Sequence, residues 1–313
     1  MKIYKAKVSL SSQISYKNVT TLMQIRNFFY SKLLLYGEYT VTLGSGALAM
    51  PFSGFAGSWD FNDTSDINVE GLHRLASFLR NDADLSNRYD IKRFMHDIEN
   101  GLKFVSDIPT GYGLGSSGAL IAAFYDRYCN TPTKDLVQLK TILGATESAF
   151  HGASSGLDPL VSYLNRGILI DESGVIDLID LDINDYGYFL IDTGISRQTE
   201  HYVDIFRQKL RQSDVFTDAV RLLSEENKKA INACIVHDKD TLWQATKNIS
   251  KLQTHHFEEM IPTQFMELWV QGLQSERYTL KLCGAGGGGM ILGIWADSNS
   301  KVDFGSKIKI INI

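Results

Sequence analysis

Pro109-Thr110-Gly111-Tyr112-Gly113-Leu114-Gly115-Ser116-Ser117-Gly118-Ala119-Leu120 is the stretch from which the rest of the chain can be read. Glycine at 111, 113 and 115 suits neither a strand core nor a helix interior, where each costs about 1 kcal/mol. It suits a loop whose backbone amides turn toward one point. Ser116 and Ser117 then lead into Ala119-Leu120-Ile121-Ala122-Ala123-Phe124, the opening turns of a buried helix. A glycine loop feeding a helix N-terminus is an anion cradle, because unpaired amides and the positive end of the dipole converge on a phosphate. A plain loop with a serine cap fits this segment equally well. The remaining sequence has to decide between the two.

Composition narrows the classes. A chain of 313 residues, 44% hydrophobic and 21% charged, has the make-up of a soluble globular protein of one large or two ordinary domains. A formal net charge of −5 and the absence of a basic stripe argue against a nucleic-acid partner. Cys129, Cys234 and Cys283 are too far apart for a disulfide framework or a zinc site. No apolar run approaches the roughly 20 residues needed to span a bilayer, so no membrane association is expected and the cytoplasm is the default. Residues 1–22 hold Lys2, Lys5, Lys7 and Lys17 without an acidic residue, and match neither a secretory signal nor a transit peptide. They are expected to form a poorly ordered extension, with Met23 as the functional start.

In chain order, FFYSKLLLY at 28–36 predicts a buried strand, in which Lys32 is costly unless its ammonium finds a partner or water. Short strands are predicted at Ala47–Phe52 and Ser58–Phe61, helices over 69–80 and 91–98, and a strand at 102–105. A helix beginning near Thr133 carries Leu136, Leu139, Leu143 and Phe150 on one face. Helical spacing puts Glu147 on that same inward face, where a carboxylate needs a cation or donors. Asp158-Pro159 is an N-cap and N1 signature for a helix over 160–164, although the carboxylate could still face a cleft. Strands at 168–170, 175–179 and 188–192 precede helices near 200–211, 214–234, 239–252 and 263–273. Strands at 278–282, 290–295 and 308–313 close the chain. Between the first two of these lies Gly284-Ala285-Gly286-Gly287-Gly288-Gly289, a tract implying backbone or ligand contact too close for a Cβ. The pattern is α+β, divided at the Asp-rich turn 180–185 into 23–182 and 183–313.

Three segments now fall into a known order: Lys32-Leu33-Leu34-Leu35-Tyr36-Gly37-Glu38-Tyr39, Gly113-Leu114-Gly115-Ser116-Ser117, and Lys281-Leu282-Cys283-Gly284-Ala285-Gly286-Gly287-Gly288-Gly289. They resemble the three motifs of the GHMP small-molecule kinases, and most of all those of mevalonate kinases. Glu147 to Asp158, with His151-Gly152 and Ser155-Gly156 between them, is similar to the mevalonate kinase segment E-x-x-x-H-G-x-P-S-G-x-D. Tyr39, Ser154 and Cys283 depart from the usual His, Pro and Thr. Short bacterial mevalonate kinases of the Bacteroidetes type share such departures.

The resemblance implies a two-domain α+β fold, with an N-terminal half like the second domain of a small-subunit ribosomal protein and a C-terminal ferredoxin-like α/β sandwich. It implies that the amides of Gly111, Tyr112, Gly113, Leu114, Gly115, Ser116 and Ser117 hold ATP phosphates, without the Lys of a Walker A loop. Ser117 and Glu147 become the Mg2+ ligands and Asp158 the general base, with Lys32 beside it. Glu38, Tyr39, Arg197, Gly286 and Gly287 fall on the acceptor side, Arg197 as the partner of a substrate carboxylate. The implied acceptor is mevalonate; phosphomevalonate, a sugar or homoserine, and a non-catalytic binding role are the alternatives. The helical second half offers a surface for a homodimer.

Overall fold

The computed structural model describes residues 28–62, 69–152, 154–181, 186–197, 199–297 and 299–313. The expected extension 1–22, Met23 and the residues on either side of the 182/183 division lie outside them.

Two antiparallel sheets organise the chain. The first contains β1 (Phe29–Tyr36), β2 (Ala47–Asp60), β3 (Lys103–Ser106), β4 (Gly167–Ile170) and β5 (Ile176–Ile179), in the order β1-β2-β4-β5 with β3 also paired to β2. The second has the order β7-β8-β6-β9, from β6 (Tyr188–Asp192), β7 (Tyr278–Leu282), β8 (Met290–Trp295) and β9 (Lys309–Asn312). Helices α1 (Glu70–Asn81), α2 (Ala83–Arg88), α3 (Ile91–Glu99), α4 (Ser116–Tyr128), α5 (Leu136–His151) and α6 (Leu157–Leu164) belong to the first half. The second half carries α7 (Thr199–Gln212), α8 (Asp214–Val236), α9 (Lys239–His256) and α10 (Thr263–Ser275). This is the expected α+β architecture.

Four local readings change. The two short strands expected at 47–52 and 58–61 are one, β2, which exchanges neighbours along its length: β4 pairs with Ala47–Ala49, β1 as far as Gly57, and β3 from Gly57 to Asp60. Gly54 and Gly57, between and beside the two expected strands, lie under the rings of Phe52 and Phe104, where a Cβ would overlap them. The six-residue α2 is too short to show a period; Asp82 starts it by accepting from the amides of Asp84 and Leu85. Asp135 caps α5, so that helix begins at Leu136 rather than near Thr133. Finally, α6 begins at Leu157 with Gly156 as its N-cap, so Asp158 is not the cap. It stands in the first turn, where Pro159 is tolerated because its missing N–H would have had no helical partner.

Helix α4 sits at the centre of the first half, with Gly118, Ala119 and the run Ile121–Tyr125 buried. Its small residues let α6 approach closely. A Cβ on Gly118 would lie 2.9 Å from the main chain of Asp158 and Pro159, so only glycine brings the two helix N-termini together. The main hydrophobic core runs without a break from Phe29, Leu33 and Leu48 to Leu190, Trp269 and Leu292, joining both halves. A second core beneath α1, α3 and α4 contains Leu75, Phe94 and Phe124.

Behind α4, Asp97 accepts from Arg127 Nη2 at 2.9 Å and from the Tyr128 hydroxyl at 2.8 Å. Burial pushes this carboxyl up, but the Arg127 and Tyr128 bonds outweigh it and hold the group below its ordinary 3.8. A depressed folded value stabilises the fold above the unfolded pKa, and that contribution disappears as pH falls through the folded value. Arg127→Met is therefore expected to cost about 1 kcal/mol at neutral pH and little near pH 2. Urea titrations at the two pH values check this; an equal loss at both would contradict the ion-pair assignment.

Candidate active site

The glycine loop is held by its carbonyls. The Arg197 amide donates to Gly111 O (3.1 Å), Lys32 Nζ to Gly113 O (3.3 Å), the Lys32 amide to Leu114 O (2.8 Å) and the Ala119 amide to Gly115 O (2.9 Å). Four carbonyls of the segment are thereby engaged within the protein. Gly111, Gly113 and Gly115 have φ of 78°, 72° and 75°, the left-handed conformation that the alternating glycines permit. Gly115 is the N-cap of α4 and no side chain caps that helix. The serine-cap alternative is thereby removed, and a helix N-terminus opens toward the loop.

Lys32, in the middle of β1, resolves its burial through a partner. Its Nζ lies 2.7 Å from Asp158 Oδ1 and also reaches Gly113 O, so one ammonium joins β1, α6 and the loop. The Lys32 side chain is 7% exposed and that of Asp158 31%, which leaves the carboxylate reachable by a small molecule.

Glu147 is buried, as its place on the α5 face requires. Ser117 Oγ donates to its Oε1 at 2.8 Å, and Ser154 Oγ donates to its Oε2 while accepting from the Gly156 amide (3.0 Å). The structure thus brings together Ser117 and Glu147, two hard oxygen donors from α4 and α5. Such a pair suits Mg2+, which keeps several waters and takes few protein ligands. Among the described residues no group of three or more His, Cys, Asp or Glu is placed to hold a metal ion.

The residues assigned to the acceptor side are placed less openly. Glu38 is 1% exposed and paired with the equally buried Lys281; burial pushes its carboxyl above the ordinary 4.5 against the pull of that lysine. Tyr39, at φ 61°, stacks on Phe206 (4.5 Å) and donates from its hydroxyl to Ala285 O at 2.5 Å. Gly286 is buried against Met260, and a Cβ on Gly287 would overlap the Tyr202 ring. Arg197 is buried too, with Nη1 donating to Gly286 O (3.0 Å) and Gly288 O (3.1 Å), and Nη2 to Cys283 O (3.4 Å). Its side-chain hydrogen bonds go to main-chain carbonyls. Sequence reasoning missed the bond from Ser154 to Glu147 and the pairing of Lys281 with Glu38. A serine where a proline is usual, and a lysine in an apolar strand, were the available signals.

Residues 74–166 match the family model described as GHMP kinases N terminal domain. Among curated proteins none matches the sequence. Crystal structures of similar fold include the L. major mevalonate kinase in complex with R-mevalonate (17% identity, TM-score 0.60, 88% of this chain and 89% of that one). They also include the mevalonate kinase of methicillin-resistant Staphylococcus aureus (19%, 0.57, 88% and 90%). A third is the Streptococcus pneumoniae phosphomevalonate kinase in complex with phosphomevalonate and AMPPNP (14%, 0.63, 91% and 99%). Residues 74–166 thus resemble a GHMP kinase N-terminal domain, in line with the resemblance read from the motifs, and the chain as a whole shares the α+β fold of these mevalonate and phosphomevalonate kinases.

Proposed function

We propose that this protein is an ATP-dependent kinase that phosphorylates the hydroxyl of a small hydroxy acid, with mevalonate as the acceptor and 5-phosphomevalonate as the product. The observation that carries the reading is the Lys32 ammonium bonded at once to Asp158 and to the glycine loop. It supports the reading because a reachable carboxylate and a positive charge then lie beside the glycine loop. That is what phosphoryl transfer asks of a protein: positioning and charge stabilisation.

In this reading the amides of Gly111–Ser117 and the N-terminus of α4 bind the phosphates. Asp158 orients the acceptor hydroxyl and takes its proton as the oxygen attacks the γ-phosphorus. Lys32 stays between base and loop, and offsets negative charge on the transferred group. Ser117 and Glu147 would hold Mg2+, which when bound would neutralise phosphate charge. The enzyme works in the cytoplasm on this view, where ATP is available; no helix among the described residues is long and apolar enough to cross a membrane.

Two observations bear on the acceptor. The likenesses include a mevalonate kinase in complex with R-mevalonate. Among the described residues at the site, each cation is already engaged: Lys32 by Asp158, Lys281 by Glu38, Arg197 by carbonyls. A phosphate already on the acceptor would want additional Lys or Arg, so an unphosphorylated acceptor is favoured over phosphomevalonate.

An ADP-release assay on mevalonate, phosphomevalonate, homoserine and galactose separates the readings. Turnover with mevalonate alone is expected; turnover with another acceptor alone would reassign the substrate, and none with any would defeat the kinase reading. In the active enzyme, Glu147→Gln and Ser117→Ala are each expected to raise the Mg2+ needed for half-maximal rate by about tenfold or more. An unchanged metal titration would remove both as ligands.

A further inference from the structure

We propose that Arg197 is a positioning residue that clamps the two glycine tracts to each other, and that it does not read the carboxylate of the acceptor. The proposal rests on the reading of Gly111–Ser117 as the phosphate cradle. Arg197 touches both tracts with different parts of itself. Its amide donates to Gly111 O at 3.1 Å in the first tract. Its guanidinium donates to Cys283 O, Gly286 O and Gly288 O in and beside the second. The glycines are cut to its shape. A Cβ on Gly113 would overlap Nη2, and one on Gly284 would stand 2.8 Å from it, so the guanidinium lies in a slot that side chains on either tract would close.

The flanking residues continue the same joint. Ser196 Oγ donates to Thr110 O (3.2 Å), the Gly289 amide to Ile195 O (2.7 Å), and Thr193 gives both its amide (3.0 Å) and its hydroxyl (2.7 Å) to Gly289 O. The segment 193–197 is therefore fastened to the first tract on one side and to the second on the other.

Energetics favour the clamp over the carboxylate reading. Arg197 is 8% exposed, and a buried cation is tolerable when dipoles satisfy it. Here the carbonyl dipoles of the second tract do so. Turning the fork toward a substrate carboxylate would leave those buried carbonyls without their donor. Three of its five N–H hydrogens serve those carbonyls, and the two left over are that of Nε, buried and without a hydrogen-bond partner among the described residues, and one of Nη2. The planar fork matters because one nitrogen must serve two carbonyls while the other serves a third; an ammonium is a single point charge.

The test uses Arg197→Gln and Arg197→Lys in the full chain. The Kd of Mg-ATP is measured by calorimetry, the KM of the acceptor by steady-state kinetics, and hydrogen exchange is followed at 111–117 and 284–289. A clamp predicts a Mg-ATP Kd raised about tenfold or more in R197Q and less in R197K, with acceptor KM within about threefold of wild type. It also predicts that both glycine tracts gain exchange together. A raised acceptor KM with an unchanged Mg-ATP Kd would overturn the proposal in favour of carboxylate binding. Unchanged values of both would overturn it as well. Should R197Q fail to fold, R197K carries the same comparison. If wild type binds no Mg-ATP, the kinase reading fails, and the joint exchange of the two tracts still decides whether the clamp exists.

Discussion

Asp158→Asn is expected to bind Mg-ATP within about twofold of wild type and to lose about 10²–10⁴-fold in kcat, the range a positioned general base supplies. The substitution is isosteric, which the site demands: Asp158 lies against Gly115 and Gly118, with the Gly118 position only 2.9 Å from its Cβ were a Cβ present there. An Asn oxygen can still accept from Lys32 Nζ, so β1, the loop and α6 stay joined. The negative charge in the first turn of α6 is lost, at about 0.3–1 kcal/mol, and the buried Lys32 ammonium keeps only neutral acceptors, the Asn oxygen and Gly113 O, so urea unfolding of the variant accompanies the kinetics. On the proposed mechanism, what disappears is the proton acceptor. Steady-state kinetics beside a nucleotide titration check this, and near-wild-type turnover would remove Asp158 as the base.

Lys281→Met is expected to destabilise the fold by about 3–5 kcal/mol, because it leaves Glu38 buried without its cation. The pair crosses the seam between the halves: Glu38 follows β1, and Lys281 lies in β7. Lys281 also donates to Leu282 O at 2.8 Å and sits over the Tyr36 ring at 5.2 Å. Among the described residues Glu38 Oε2 has no hydrogen-bond partner, so none of them stands ready to take over as donor. Burial raises the Glu38 carboxyl above its ordinary 4.5, and removing the lysine raises it further. Below the unfolded value the carboxyl is neutral in both states and the penalty is small. It grows as pH rises through the raised folded value, where the unfolded chain alone ionises freely. Urea unfolding of K281M at acidic and neutral pH should show this widening gap, and adding Glu38→Gln should restore most of the loss at neutral pH. A cost under about 1 kcal/mol at neutral pH would show that the pair does not hold the seam.

Charges in apolar surroundings were the most legible part of the site. Lys32 within FFYSKLLLY and Glu147 on an apolar helix face both announce a partner, since either would be prohibitive alone. The alternating glycines declared a turned backbone, and the observed φ angles follow from that. Most elements also followed from periodicity, because long amphipathic helices such as α8 and apolar strands such as β8 carry their own signal. Elements decided by tertiary contacts were hidden. Nothing local says that β2 continues through Pro51, Gly54 and Gly57, for its continuity comes from changing neighbours and covering rings. Nor could an arginine in a polar loop reveal whether it faces a ligand or the carbonyls of a tract some ninety residues on (89 to Gly286). Asp158-Pro159 was ambiguous for a related reason: cap and first-turn aspartates have the same sequence signature, and the approach of α4 through Gly118 settles which it is.

The central claim is that the terminal phosphoryl group of ATP passes to an acceptor hydroxyl beside Asp158. Incubating purified protein with ATP labelled in that group, Mg2+ and mevalonate, then resolving the labelled products, tests it most directly. Label should appear on mevalonate in step with ADP formation in the wild type, and fall with turnover in Asp158→Asn. Label found only in inorganic phosphate, or transfer undiminished in Asp158→Asn, would contradict it.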